Sequence, residues 1–280
     1  MTNFRQGGLN SIPSIVKNII IINVLVVVIQ FALGKQGINL GDYLGLHYWQ
    51  SPNFRWYQLF THMFVHGDPY DVSATISHIF FNMFALWMLG SVLESVWGPK
   101  RFLIFYLVCG VGAAFCHLGV LTFEFSRFHN AFLQYQQHPG FVEFMQFVRH
   151  NDLTGTFQPE FIKGWEVSGD SPMYINESIK GINEIYMAMI NTNTVGASGA
   201  VFGILFAFGY LFPNTPLYLM FIPVPIKAKW FVAGYAAIEL FSGIGRFAGD
   251  NVAHFAHLGG MLFAFILLRI WRKNNRNDFY

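Results

Sequence analysis

Charge is what this chain has least of. Only 11% of its residues are Asp, Glu, Lys or Arg, while 54% are hydrophobic; soluble globular chains are about a quarter charged. So small a charged fraction excludes an ordinary water-facing surface over much of the molecule. A net charge of +2 is too small to imply a nucleic-acid partner, and the basic residues fall in short groups at helix ends. There are two cysteines, Cys109 and Cys116. They lie seven apart on one apolar helix, roughly 10 Å of rise, too far to bridge, and read as buried packing thiols. No small-x-small cleavage site follows the apolar run Ile19 to Leu33, which ends in Gly34-Lys35, so a retained first membrane helix is expected in place of a removed signal. No internal repeat or low-complexity segment stands out.

What the chain does have is long apolar stretches. A helix needs about 20 mostly apolar residues to cross a bilayer, and six stretches approach this: 15–34, 78–97, 101–122, 194–212, 229–247 and 252–271. Turn signals separate them at Gly98-Pro99, Pro213-Asn214-Thr215-Pro216, Pro223-Val224-Pro225 and Gly243 to Gly249. The expected fold is an all-α polytopic membrane protein, a six-helix bundle with an extracytoplasmic insertion between helices 3 and 4. One face collects Arg5, Lys17, Lys100, Arg101, Lys227, Lys229, Arg269, Arg272, Lys273 and Arg276. The positive-inside rule then places both termini in the cytoplasm, with 35–77, 123–193 and 243–251 outside.

The chain divides into 1–122, holding the first three helices and the loop 35–77; the insertion 123–193; and 194–280, the last three helices with a basic tail. The loop 35–77 carries Tyr43, Tyr48, Trp49, Phe54, Trp56, Tyr57, Phe60 and Phe64, which suits the bilayer interface. The insertion is acidic and too long for a bare connector. Helical spacing at Phe141–Arg149 and Ile175–Ile190 predicts a cap of short helices. A disordered loop is the alternative, and the many Phe, Tyr and Met residues argue against it.

Four polar positions stand out. In the fourth stretch, Asn191, Thr192, Asn193 and Thr194 offer caps, which sets Ser198 about one turn in; Gly199, Gly203 and Ala207 follow as a small-residue stripe. In the sixth, His257, Gly260 and Ala264 form a second stripe on nearly one face. Taken singly, each polar residue reads as a packing or helix-linking group. If the two stripes pack, His257 comes within reach of Ser198, and an imidazole there activates a serine hydroxyl as nucleophile. His254 lies one turn earlier, faces ~60° away, and is expected at the interface. On the second helix, His78 and Asn82 share a face, four apart, and offer two donors to a developing oxyanion. No acid is evidently placed to orient His257. Asp250 lies seven residues before it in a loop, and Glu239 within the fifth stretch has no firm role, so a dyad is simpler than a triad.

A metal site competes with this reading. His62 and His66 are four apart, and His254 and His257 three apart. The chain has no HExxH motif and no carboxylate beside either pair, so neither a metal nor a cofactor is expected.

Together these residues resemble the rhomboid family of intramembrane serine proteases. Gly196-Ala197-Ser198-Gly199 is similar to the family's GxSG nucleophile turn, and Ala256-His257-Leu258-Gly259-Gly260 to its histidine motif. His78-Ile79-Phe80-Phe81-Asn82 is similar to its HxxxN oxyanion residues, Thr61 to His66 to the end of its first external loop, and Glu94 to its acid at the inner end of the second helix. The resemblance covers about 15–122 and 194–271. It implies an intramembrane serine endopeptidase with a Ser198–His257 dyad, His78 and Asn82 at the oxyanion, and Gly196, Gly199, Phe202 and Gly260 in support. It also implies transmembrane protein substrates entering beside the fifth helix, within the lipid bilayer of a bacterial inner membrane. The departures are Tyr57-Gln58 for a tryptophan-arginine pair, an insertion at 67–77, Phe202 for the tyrosine that stacks on the histidine, Ala264 for a glycine, and the long 123–193 segment. Non-catalytic relatives that bind transmembrane helices, as chaperones or retrotranslocation factors, are the alternative; they usually lose the serine or histidine. A transporter or channel would want charges through both leaflets.

Overall fold

The structure is a computed structural model that describes residues 12–219, 222–245 and 253–277. Arg5, Asp250 and the rest of residues 246–252, all used in the sequence reading, lie outside the described residues. Among the described residues nine long helices carry the fold: α1 Ser14–Gly34, α2 Val72–Trp97, α3 Pro99–Gln137, α4 Phe141–His150, α5 Pro159–Ser168, α6 Pro172–Asn191, α7 Ser198–Leu211, α8 Ala228–Gly245 and α9 His254–Asn277. Two short antiparallel pairs accompany them. Strand β1 Leu46–His47 pairs with β2 Asn193–Thr194, and β3 Pro216–Leu219 with β4 Ile222–Lys227.

Among the described residues each of the six expected stretches contains a helix, and four helices are long and apolar enough to cross a membrane: α1, α2, α3 and His254–Arg272 of α9. On α1 the apolar residues Ile21, Ile22, Val24, Leu25, Val28 and Ile29 face outward, as lipid contact requires, while Val16, Ile19, Asn23, Val27, Gln30 and Gly34 face in. The chain is a helical integral membrane protein. Helix α7 has only 14 residues. It is buried on nearly every side, so it is surrounded by protein and needs less length to stay dry.

Several boundaries differ from the expected ones. Helix α2 starts six residues early, at Val72, because Asp71 caps it through Ala74 N–H at 3.0 Å; the extra 67–77 residues thus become a tight turn and an added stretch of helix. Helix α3 runs on to Gln137, since Glu124, Arg127 and Asn130 are tolerated in a helix; the turn at His138-Pro139-Gly140 follows its end. Residues 193–194 pair with β1 and are not helix caps. Pro216, Pro223 and Pro225 lie in the antiparallel pair β3–β4.

The chain forms two compact units: one made of the residues through His47, Asn53–Leu118 and Asn193 onward, the other of Tyr48–Pro52 and Gly119–Thr192. The first has a core of Leu86, Leu93, Phe102, Phe105, Tyr106 and Ile204 among others. Within it Glu94 is buried and accepts from Ile15 N–H at 3.0 Å and Val16 N–H at 2.8 Å. It therefore satisfies amides at the start of α1 that no helical carbonyl can reach. The aromatic first loop is organised by Gln58, which is wholly buried. Its Oε1 accepts from the amides of His47 and Arg55, and its Nε2 donates to the carbonyls of Tyr43 and Asn53.

The second unit is helical and aromatic. Phe128, Phe132, Tyr135, Phe144, Phe147, Trp165 and Ile182 form its core. Pro159 and Pro172 open α5 and α6 at positions where a missing N–H costs nothing. Asp170 Oδ1 accepts from both Trp165 Nε1 and Phe141 N, each at 2.9 Å. Helices occupy both segments whose spacing is helical, and α5 adds one that the spacing does not announce.

Candidate active site

All the sequence-derived site residues lie in the first unit. Ser198 is the first residue of α7, not a residue one turn inside it. The break comes from Gly196, whose φ of 125° is closed to other residues, and whose N–H is held by the His62 carbonyl at 2.9 Å. A side chain there would also strike the His78 ring, with Nε2 only 2.8 Å from its Cβ. Gly196 thus lets the loop turn sharply beneath His78 and delivers Ser198 at a helix start.

The two small-residue stripes meet. A Cβ on Gly260 would lie 1.9 Å from the Gly199 carbonyl oxygen, and one on Gly203 3.1 Å from the Gly260 carbonyl oxygen. Gly199 is itself closed on its other side by Ala113 of α3, 2.5 Å from where its Cβ would be. Backbones this close are possible only between glycines. The approach brings Ser198 Oγ to 2.8 Å from His257 Nε2. The His257 ring stacks on Phe202, with centroids 4.1 Å apart and planes 4° apart. The serine is half-buried and the histidine buried.

His78 sits beside this pair: its Nε2 and Ser198 Oγ lie 2.8 and 3.8 Å from the same point, the position a Gly196 Cβ would take. Asn82 is buried on the same helix face. One of its amide hydrogens goes to the His78 carbonyl, at 2.9 Å, so it brings one remaining N–H and not two. His66 packs edge-on to His78 with centroids 5.1 Å apart and is tied through Nε2 to Asn23 at 2.8 Å. His62 bonds the Gln58 carbonyl through Nδ1 at 2.8 Å. Burial pushes the His62 imidazole down to about 4 and that of His66 to about 3, so both are neutral at physiological pH.

The sequence reading finds no acid for His257, and here the structure corrects it. Glu239 on α8 is buried, and its Oε2 lies 2.9 Å from His257 Nδ1 and 2.7 Å from His254 Nδ1. A carboxylate therefore does stand beside the His254–His257 pair. Glu239, His254 and His257 offer three ligand atoms within 4.8 Å of one another, a grouping with the composition of a metal site. His62 and His66 are instead each bonded to other groups, a backbone carbonyl and Asn23. Another residue the sequence does not single out is His117 of α3, whose Nε2 meets Thr194 Oγ1 at 2.8 Å and ties α3 to β2.

The family model for the rhomboid domain matches residues 53–128 and 174–274. Over 76 residues the chain is 32% identical to the rhomboid protease GluP of Bacillus subtilis, a match spanning 27% of this chain and 13% of that protein. The chain thus spans only a small part of that relative's length. The matched residues carry the GxSG turn, the α2 histidine and asparagine, and the α9 histidine, on helices packed as described above, and the chain belongs to the rhomboid family.

Proposed function

We propose that this protein is an intramembrane serine endopeptidase that cleaves transmembrane segments of membrane-protein substrates with a Ser198–His257 dyad. The observation that supports this most is the 2.8 Å contact between Ser198 Oγ and His257 Nε2, on two helices whose glycines hold them together. A chain that only bound transmembrane helices would have no use for that contact. Removing the hydroxyl proton is what turns a weak nucleophile into an effective one.

In the reaction, Ser198 Oγ attacks the scissile carbonyl while His257 Nε2 takes its proton. The oxyanion is bound by the His78 ring, the free N–H of Asn82 and the backbone N–H of Ser198, which no helical carbonyl occupies at a helix start. One such donor is worth about 3–4 kcal/mol of barrier. His257 then hands the proton to the departing amine, and the acyl ester left on Ser198 is hydrolysed by water. The irregular backbone at Gly196–Ala197 is tolerable because it lines this pocket and not lipid. The lysines and arginines at the opposite helix ends support cytoplasmic termini, with the site opening toward the extracytoplasmic side of a bacterial inner membrane and substrates entering beside α8.

The direct test is a fluorophosphonate probe followed by a cleavage assay on a single-pass substrate. Wild-type protein is expected to be labelled on Ser198 and to cut. Ser198→Ala is expected to do neither while melting at the same temperature. Cleavage by that variant would remove Ser198 from the mechanism.

A further inference from the structure

A buried carboxylate in an apolar helix is expensive unless it is bonded and charge-balanced. Glu239 is 5% exposed on α8, and one oxygen, Oε2, meets two imidazole nitrogens, Nδ1 of His254 at 2.7 Å and Nδ1 of His257 at 2.9 Å. An ionised carboxylate only accepts, so both Nδ1 atoms carry their protons. That choice has a consequence on the other side of the ring. With Nδ1 protonated, the neutral His257 has its lone pair on Nε2, the atom that faces Ser198 Oγ at 2.8 Å.

Two other accounts of the cluster fit less well. Pure packing would be met by a neutral amide of the same shape, without a buried charge. A metal bound at about 2.1 Å to tetrahedral ligands holds them about 3.4 Å apart. The N···O distances here are 2.7 and 2.9 Å, those of charge-assisted hydrogen bonds.

The geometry points to Glu239 as a positioning residue for His257, making the set a serine–histidine–glutamate series drawn from α7, α9 and α8, with His254 as the second donor that fixes the carboxylate. This rests on the protease reading above. When Ser198 attacks, its hydroxyl proton moves to His257 Nε2 and the ring becomes a cation. Glu239 keeps its charge, takes no proton, and stabilises that cation from the Nδ1 side. The ring then releases the Nε2 proton to the leaving amine and returns to the same tautomer. The base is aimed only while α8 stays packed on α9.

The test uses the full-length protein in lipid vesicles, a fluorogenic transmembrane substrate, and nitrogen-labelled histidine for NMR. Wild type is expected to show a far-downfield imidazole Nδ1 proton that disappears in Glu239→Gln. The same variant is expected to lose at least about ten-fold in kcat, against ~10⁴ for the analogous change in a serine protease triad. Its KM and melting temperature should stay close to wild type, with probe labelling of Ser198 slowed in step. Unchanged kcat in Glu239→Gln overturns the proposal. So does a wild-type spectrum without the downfield proton, a result that does not depend on how the variant folds. Activity lost to a chelator and restored by zinc overturns it in favour of a metal. If wild type neither cuts nor labels yet shows the downfield proton, lost in Glu239→Gln, the bond stands and the protease reading is what fails.

Discussion

Gly260→Ala is the sharpest single perturbation of this architecture. Gly260 lies three residues after His257, one turn along α9, and faces the start of α7. A Cβ there would sit 1.9 Å from the Gly199 carbonyl oxygen and 2.8 Å from its carbon. An ordinary Cβ–oxygen contact is about 3.4 Å, so the two backbones must part by about 1.5 Å. Neither side yields easily. The obstacle is backbone, not the end of a flexible side chain, and Gly199 is backed by Ala113 at 2.5 Å from its own Cβ position. Most of the movement falls on α9, and His257 moves with it.

Two losses follow. Overpacking of this kind costs about 1–3 kcal/mol, which lowers the melting temperature by several degrees. The Ser198–His257 contact, now 2.8 Å, opens past the ~3.2 Å limit of a hydrogen bond, and a displacement of about 1 Å at reacting groups costs roughly 10²-fold in rate. The assay is kcat on a transmembrane substrate beside thermal unfolding in the same detergent. Ala264→Gly serves as the control. It sits one turn further along the same stripe, fully buried. Its change should cost about 1 kcal/mol in helix propensity and leave kcat near wild type. A Gly260→Ala protein with wild-type kcat and melting temperature would refute the close-approach argument.

Other outcomes follow from the buried polar groups. Glu94→Ala leaves the Ile15 and Val16 amides unbonded at the start of α1; at about 1–3 kcal/mol for each such group, the melting temperature should fall sharply with little change in the kcat of the folded fraction. An unaltered melting curve would contradict the capping role. His62 and His66 make stability depend on pH. Their folded values, about 4 and about 3, lie below the ordinary 6.5, so the unfolded chain binds protons first as pH falls. The stability they contribute is complete above pH 6.5 and is lost as pH falls toward those values, at about 1.4 kcal/mol per pH unit for each. Melting temperatures measured between pH 7.5 and 4.5 should decline, and the double variant His62→Gln, His66→Gln should flatten the curve; equal slopes would count against the assignment.

Much of this fold is legible because a bilayer leaves few choices. Apolar length marks α1, α2, α3 and α9, and the four-residue rows of small side chains name the two surfaces that meet, Gly199–Gly203 and Gly260–Ala264. Boundaries were less legible for a local reason. Asp71 and Gly196 each decide where a helix begins, one through a cap and the other through a positive φ, and neither alters the hydropathy of its surroundings. Glu239 was hidden for a different reason. It stands 18 residues before His257, with the rest of α8 and the start of α9 between them. Nothing in helical periodicity says which face of α8 looks toward α9. An acid inside an apolar helix announces that it has a partner without naming it.

Gln58 and Glu94 show how a departure from a family's pattern is absorbed. Where the resemblance has tryptophan-arginine, this chain has Tyr57-Gln58. Gln58 turns inward and bonds four backbone groups of its own loop, and Glu94 turns to the amides of α1. Each residue is satisfied separately, by backbone groups near it. An uncharged amide also carries a far smaller desolvation penalty than a buried guanidinium. The loop that holds the Gly196 amide through the His62 carbonyl at 2.9 Å is therefore anchored by Gln58 from within. Gln58→Ala should loosen that loop and the serine turn together, while Glu94→Ala should loosen α1 and leave the turn in place.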